Sequence, residues 1–119
     1  MPVTEGFRTF VIEQLEHAAR DLRARAMFGG VGIYAGELFF ALIANDILYF
    51  KVDDQTRPKY TELGMEPFRP FGEDGEAMKY YAVPVSAMED PDVLRPWVDD
   101  AIAVAGRAAQ ATSPGKRRR

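Results

Sequence analysis

Few residues of this chain could carry out acid–base, nucleophilic or metal chemistry. The 119 residues contain no cysteine and a single histidine, His17. The lack of cysteine excludes thiolate catalysis, disulfides and cysteine-ligated metals. A general base needs a second group to orient it, and no such group can be identified for His17 within its predicted helix. We therefore predict no catalytic residue, no metal site and no cofactor.

The glycines around Val31 invite comparison with phosphate-binding loops. Phe28, Gly29, Gly30 and Gly32 lie close together, but they follow a predicted helix and lead into a predicted strand. A dinucleotide-binding fingerprint follows a strand and opens a helix, and a P-loop requires Gly-Lys followed by Ser or Thr. The position of these glycines favours a bulge or a close approach of helix and sheet. We therefore predict a structural role for Gly29 and Gly30.

Acidic residues form four clusters, at 53–54, 73–76, 89–92 and 99–100. The first three clusters lie in predicted turns or helix starts, where carboxylates cap helices and contact solvent. None of the four has the spacing of an EF-hand calcium loop, and no histidine accompanies them. Capping and solvent exposure are therefore favoured over metal binding or acid–base catalysis.

The charge is distributed unevenly along the chain. The formal net charge is −3, but residues 107–119 hold 5 of the 15 basic side chains and no acidic one. Residues 1–106 therefore carry 10 basic and 18 acidic side chains, a net charge of −8. A body this acidic is a poor general binder of phosphate backbones. We predict one domain over 1–106, a flexible basic tail over 107–119, and DNA binding that is only weak or indirect.

The longest apolar stretch runs from Met27 to Val52 and must position the rest of the molecule. Short turns at Ala35-Gly36 and Asn45-Asp46 divide it. Apolar and aromatic runs bounded by such residues are typical of strands, and strands joined by short turns pair antiparallel. We predict strands at 27–34, 37–44 and 47–52.

Helices are predicted before and after this stretch in the chain. Thr4 is the candidate N-cap of the first helix, in which apolar residues from Phe7 to Leu22 recur at helical spacing. A short second helix contains Tyr60 and ends near Gly64, because glycine is favoured just after a helix C-terminus.

The last predicted helix begins with a strong start signal, Asp90 as N-cap and Pro91 as the first helical residue. Pro96 lies too far inside for the first turn, so a kink or a restart is expected there. Trp97 lies on the apolar stripe and should anchor the helix on the sheet. Gly106 ends the helical pattern.

Two more strands are predicted at 66–71 and 77–83. Pro67 cannot donate to a strand ladder, which places the first of them at an edge or makes it irregular. Tyr80 and Tyr81 are adjacent and should face opposite sides of the sheet. The order α-β-β-β-α-β-β-α predicts an α+β two-layer sandwich, with a five-stranded, largely antiparallel sheet and helices on one face.

The other face of such a sheet is open and would carry part of the chain's aromatic residues. An apolar open face is typical of an interaction surface, although cross-strand pairing of aromatic residues explains the composition equally well. Lys79, Tyr80 and Tyr81 are the candidate interaction residues of the open face.

A series of motifs spans residues 23–68: Arg-x-Met-Phe-Gly-Gly-x-Gly, Phe-Ala-Leu-Ile, Leu-Tyr-Phe-Lys-Val-Asp, Arg-Pro-x-Tyr and Gly-x-x-Pro-Phe. In these motifs the chain resembles the N-terminal domain of the TfoX/Sxy competence regulators. The resemblance implies a family signature that we expect to be mainly structural, and its residues are Met27, Phe28, Gly29, Gly30, Gly32, Lys51, Asp53, Arg57, Pro58, Tyr60, Gly64, Pro67 and Phe68.

The resemblance also implies a non-enzymatic regulator of natural transformation that acts on transcription with a partner regulator. Two-domain members of the family carry a second, helical domain, so we expect this chain to be a stand-alone, cytoplasmic interaction module. It would bind a protein partner, self-associate as a homodimer and make no membrane contact. The alternatives are a small-molecule binder or enzyme that uses the open sheet face, and a weak nucleic-acid binder that uses the tail. A deep pocket with Lys79 or a buried carboxylate would favour the enzyme.

Overall fold

The computed structural model describes residues 3–27, 29–70 and 79–112. Five strands form one antiparallel sheet in which they lie side by side in chain order. The elements in order are α1 (Glu5–Glu16), β1 (Leu22–Met27), β2 (Gly30–Ala35), β3 (Leu38–Ala44), β4 (Ile47–Lys51), α2 (Arg57–Thr61), β5 (Tyr80–Ala82), α3 (Val85–Met88) and α4 (Pro91–Thr112). The predicted α+β class and the five-stranded antiparallel sheet are thus confirmed.

The strands are distributed along the chain differently from the prediction. Four strands precede α2, because residues 22–27 form β1 instead of continuing the first helix. Helix α1 ends at Glu16, and Asp21 has a positive φ of 56° just before β1 begins. Leu22 fits the apolar spacing of the helix, yet it lies in a strand whose exposure alternates with a period of two over residues 22–25. The predicted strand at 27–34 is therefore β2, and Met27 belongs to β1.

The predicted strand at 66–71 is reduced to a single bridge in its described part. Pro67 pairs with Tyr81 outside the named strands. Proline has no N–H to donate to a ladder, which limits the pairing at this position. Phe71 and the predicted strand residues 77–78 lie outside the described residues.

Two-residue turns connect β2 to β3 and β3 to β4, as their pairing shows: Ala35 pairs with Leu38, and Ala44 with Ile47. In the last of these turns both central residues, Asn45 and Asp46, have positive φ values of 54° and 56°. Asn and Asp tolerate this conformation, and turns with two such residues match the twist of paired strands.

Thr4 fastens α1 to this last turn. Its hydroxyl accepts a hydrogen bond from the Phe7 backbone N–H at 3.3 Å, which confirms the predicted N-cap. The Thr4 backbone N–H and hydroxyl in turn donate to the two carboxylate oxygens of Asp46, at 2.8 and 2.9 Å. One side chain thus caps the helix and ties its start to the β3–β4 hairpin.

The main core lies between the sheet and the helices, with α1 and α4 packed against each other on one face. Its side chains are apolar and closely packed, as native interiors are. The fully buried members with the largest side chains include Val11, Leu15, Ile33, Phe40, Ile43, Leu48, Phe50, Tyr60, Leu94 and Val98.

Helix α4 is continuous and longer than predicted. The Asp90 carboxylate accepts a hydrogen bond from the Asp92 N–H at 3.0 Å, as an N-cap does. The helix then continues through Pro96 and Gly106 to Thr112, so it does not restart at Pro96, and the predicted end at Gly106 is wrong. One glycine costs only about 1 kcal/mol in a helix, and the alanines around it favour continuation. Residues 107–112 therefore belong to the helix and not to a flexible tail.

Gly106→Ala is expected to stabilise the protein by about 0.5–1 kcal/mol, because alanine is the best helix former and restricts the unfolded chain. There is room for the new methyl group, since the nearest atom to a Cβ at this position is Leu38 Cδ1 at 3.9 Å. Urea unfolding of the two proteins measures the difference. A lower stability of the alanine variant would contradict a helical Gly106.

Candidate functional site

The face of the sheet opposite the main core carries a row of aromatic rings, which we call the aromatic face: Tyr34, Phe39, Tyr49, Phe68 and Tyr80. The ring centroids of Tyr34 and Phe39 are 5.0 Å apart and stacked, and those of Phe39 and Tyr80 are 5.8 Å apart. Tyr49 and Phe68 form a second pair at 5.0 Å. Phe39, Tyr49, Phe68 and Tyr80 belong to one apolar cluster, which also contains Leu42 and Ala44.

A β-bulge makes this arrangement possible. Ile33 pairs with Ala41 but Tyr34 pairs with Phe39, so Phe40 is the extra residue of β3. Phe40 is fully buried in the main core, where its ring lies 5.8 Å from that of Phe50. Phe39 is left to face the opposite side. Phe39 and Phe40, which are adjacent in the chain, therefore lie on opposite faces of the sheet.

The aromatic face is half-buried. Phe68 and Tyr80 are 8% and 6% exposed, whereas Tyr34, Phe39 and Tyr49 are partly exposed. Burial raises the pKa of Tyr49, and burial together with nearby Tyr34 raises the pKa of Tyr80 to about 12. Both hydroxyls are therefore neutral near pH 7. Among the described residues, the cluster on this side of the sheet includes no helical side chain.

The three candidate open-face residues are placed in three different environments. Tyr80 lies on the aromatic face, whereas Tyr81 packs on the helical side with its ring 5.9 Å from that of Tyr60. The adjacent tyrosines thus face opposite sides, as predicted, and Tyr81 is not an open-face residue. Lys79 is exposed and lines a groove beside the sheet.

This groove, which we call the lysine groove, lies where β4 ends and the last turns of α4 pass. It has a volume of about 450 Å³ and is lined by Lys51, Val52, Asp53, Asp54, Gln55, Lys79, Val104, Arg107 and Ala108. Lys51 lies over the Tyr80 ring, with its ammonium 5.1 Å from the centroid and donating to the hydroxyl at 3.4 Å. Burial and, secondly, the charge of Lys79 lower the pKa of Lys51.

Asp53, on the opposite wall of the lysine groove, forms hydrogen bonds that connect α4 with the loop after β4. Its Oδ2 accepts hydrogen bonds from Arg107 Nε and Nη2 at 3.1 and 2.7 Å, and its Oδ1 accepts from the backbone N–H groups of Gln55 and Thr56. Desolvation opposes ionisation, but these hydrogen bonds outweigh it and hold the pKa of Asp53 below its ordinary value. Arg107 thus fastens α4 to the loop after β4. Sequence reasoning places Arg107 in the tail, because no local signal relates it to a carboxylate 54 residues away.

The remaining signature residues occupy turns and packed positions. Gly29 and Gly64 have positive φ values of 79° and 74°, a conformation that glycine adopts readily. Arg57 pairs with Asp54 at 2.6 Å. Tyr60 is buried beneath α4. Lys51 and Asp53 are the signature residues that reach the lysine groove, and Phe28 lies outside the described residues.

Groups able to perform acid–base or metal chemistry do not converge in the part of the chain that the structure describes. His17 is exposed at the end of α1, and its carbonyl accepts a hydrogen bond from Arg95 at 2.9 Å. Over residues 3–27, 29–70 and 79–112, no polar or charged residue is buried and no three His, Asp or Glu residues are arranged to hold a metal ion. In the same ranges, no helix has the length and apolar character needed to cross a membrane.

Comparison with known proteins identifies the family. The search of curated proteins gave no significant match. The family model of the TfoX N-terminal domain matches residues 13–105, which include the sheet, the short helices and most of α4. Since this match covers well over half of the 119 residues, the chain belongs to the TfoX N-terminal domain family.

Proposed function

We propose that this chain is a non-enzymatic regulatory module that binds a protein partner, a transcription regulator of competence, through its aromatic face. Membership of the TfoX N-terminal domain family supports the regulatory context. A cytoplasmic location belongs to the same proposal, and so does self-association as a homodimer through the same aromatic face when the partner is absent.

The observation that carries the proposal is the aromatic face itself. Tyr34, Phe39 and Tyr49 remain partly exposed at the surface of the sheet, and the rings of Phe39 and Tyr49 contact the buried rings of Tyr80 and Phe68. Aromatic residues are enriched in protein interfaces because large, rigid rings bury much apolar area at a small entropic cost. A half-buried apolar surface of this kind gains further stability when a partner covers it.

The lysine groove supports enzymatic activity less well than the aromatic face supports binding of a protein partner. It contains Lys79, but the groove is open to solvent, and its carboxylates are Asp53, bound by Arg107, and the exposed Asp54. A general acid or base at neutral pH usually needs a carboxyl or amine whose pKa is matched to that pH by burial. Arg107 holds the pKa of Asp53 below its ordinary value, and Asp54 is exposed to solvent, so neither carboxylate suits this role.

Direct recognition of DNA also receives little support. Arg57, Lys59 and Arg107 form ion pairs with Asp54, Asp100 and Asp53, at 2.6, 2.7 and 2.7 Å. Cations that are already paired neutralise few phosphates. Our proposal therefore limits DNA binding to a weak contribution from residues 113–119.

Tyr49→Ser tests the role of the aromatic face. Tyr49 lies on that face with its ring 5.0 Å from that of Phe68 and is partly exposed, so its replacement should leave the fold intact. We expect the dissociation constant of the homodimer, measured by analytical ultracentrifugation, to rise at least tenfold. Leu63→Ser is the matched control, because Leu63 is an apolar residue, 59% exposed, on the helical side of the molecule.

The partner is sought by affinity capture from the native cell with wild-type protein and both variants, alongside binding to duplex DNA. A transcription regulator captured by the wild type and by Leu63→Ser, but not by Tyr49→Ser, is the expected result. If all three proteins capture the same partners and form the same dimer, the aromatic face is not the interface. Sequence-selective DNA binding that persists without residues 113–119 would replace the proposal with a nucleic-acid binder.

A further inference from the structure

We propose that the lysine groove binds a small dianion, a phosphate group or a dicarboxylate, between the ammonium groups of Lys51 and Lys79. Nothing in this proposal depends on the aromatic face as an interface. It rests on the charges, contacts and shape of the groove.

The ammonium group of Lys51 is a part-buried charge without a counter-ion among the described residues. The polar contact it makes is with the neutral Tyr80 hydroxyl at 3.4 Å. Within the described ranges no carboxylate forms an ion pair with it. Removing a charged ammonium from water without a counter-ion is unfavourable, and the positive charge of Lys79 adds to the cost. A bound anion would relieve both the burial and the repulsion.

The carboxylates of the groove do not supply this counter-charge. Asp53 already accepts two hydrogen bonds from Arg107, and Asp54 pairs with Arg57 at 2.6 Å. Three cationic and two anionic side chains line the groove, so its charge is positive, although residues 1–106 as a whole carry −8. Local charge of the opposite sign to the rest of the body attracts an anion to this one surface.

The shape of the groove suits a small ligand. Its volume of about 450 Å³ is within the range of sites for metabolites. Val52 and Val104 are buried beneath it, and the apolar side chains lower the local dielectric constant, which strengthens charge–charge attraction. The Tyr80 ring holds the Lys51 ammonium in place, so part of the ordering cost is already met before binding.

The direct test is an NMR titration of the full chain with inorganic phosphate and with malonate, at constant ionic strength. Acetate serves as the singly charged control. We expect amide shifts concentrated at residues 51–55, 79 and 104–108. Binding of phosphate alone would identify a phosphate site, and binding of both dianions a general dianion site. Acetate binding of equal affinity, or weak shifts spread over the whole surface, would overturn the proposal.

Two lysine variants and one control variant identify which ammonium groups bind the dianion. Lys51→Met and Lys79→Met should each lower the affinity at least tenfold, and Lys79→Met should fold normally because Lys79 is exposed. Lys59→Met should leave the affinity unchanged, since the Lys59 ammonium pairs with Asp100 at 2.7 Å outside the groove. Equal losses in all three variants would show a general effect of net charge and would contradict the proposal.

The ammonium group of Lys51 provides an independent readout. In the free protein its pKa should lie below that of ordinary lysines, as burial requires. A dianion bound beside it stabilises the charged form, so saturation with phosphate should raise this pKa. Side-chain NMR of Lys51 as a function of pH measures the change, and a pKa unaltered by saturating phosphate would show that the anion binds elsewhere.

Discussion

Gly30→Ala should destabilise the fold by about 2–3 kcal/mol, a typical cost of overpacking a close contact. A Cβ at this position would lie 2.5 Å from the carbonyl oxygen of Ile43 on β3. That oxygen belongs to the backbone of a central strand, so it can move away only if the paired strands separate. The urea midpoint of unfolding and the melting temperature both report the change.

Gly32→Ala is the matched control for this substitution. A Cβ there would meet Met27 Cε at 2.6 Å and Phe39 Cε1 at 3.1 Å. Methionine has several accessible rotamers, so its end can move aside, and we expect a cost of about 1 kcal/mol, at the low end for overpacking. If Gly30→Ala has an unchanged melting temperature but loses partner binding, the glycine is functional and the structural interpretation is wrong.

Trp97→Ala should cost about 2–3 kcal/mol, less than the 3–5 kcal/mol typical of fully buried aromatic residues. Trp97 is partly buried and packs on α2: its ring meets that of Tyr60 edge-on at 4.9 Å, and the Lys59 ammonium lies 4.2 Å from its centroid. Removal of the indole exposes Tyr60 and removes the cation–π contact of Lys59, which keeps its ion pair with Asp100, so α2 loses part of its cover.

Urea unfolding compares Trp97→Ala with Trp97→Phe, which keeps a ring against Tyr60 and should lose less than half as much stability. The intrinsic fluorescence of the native protein gives a second check, because Trp97 is the sole tryptophan of the chain. Its emission maximum should be shifted to shorter wavelength than that of a solvated indole. A maximum like that of free tryptophan would count against the packing of Trp97 on α2.

Much of the local structure could be predicted because its causes are local. Asn45, Asp46 and Gly36 mark turns because these residue types tolerate positive φ, although Ala35, predicted in a turn with Gly36, is the last residue of β2. Asp90 with Pro91 marks a helix start through a cap and a preset φ. The opposite orientation of Tyr80 and Tyr81 follows from strand geometry alone. The sequence motifs also indicated the TfoX family, which the match over residues 13–105 shows.

The errors occurred where neighbouring segments decide between local alternatives. Leu22 suits the stripe of α1 and the inner side of β1 equally well, and pairing of its strand with β2 decides the outcome. Gly106 is a natural helix terminus, yet α4 continues past it, and the Arg107–Asp53 ion pair lies within this extension. Both outcomes depend on partners distant in the chain, which a local pattern does not contain.

The amino-acid sequence by itself determined the class of fold, the lack of thiol chemistry and the acidic character of the body, since composition, periodicity and turn residues act locally or in sum. Only the tertiary structure decided which groups meet. Pairing of β4 with β5 places Lys51 on Tyr80, and the length of α4 brings Arg107 to Asp53. The lysine groove and the aromatic face arise from these long-range contacts, because strand register and helix docking fix the relative positions of residues far apart in the chain.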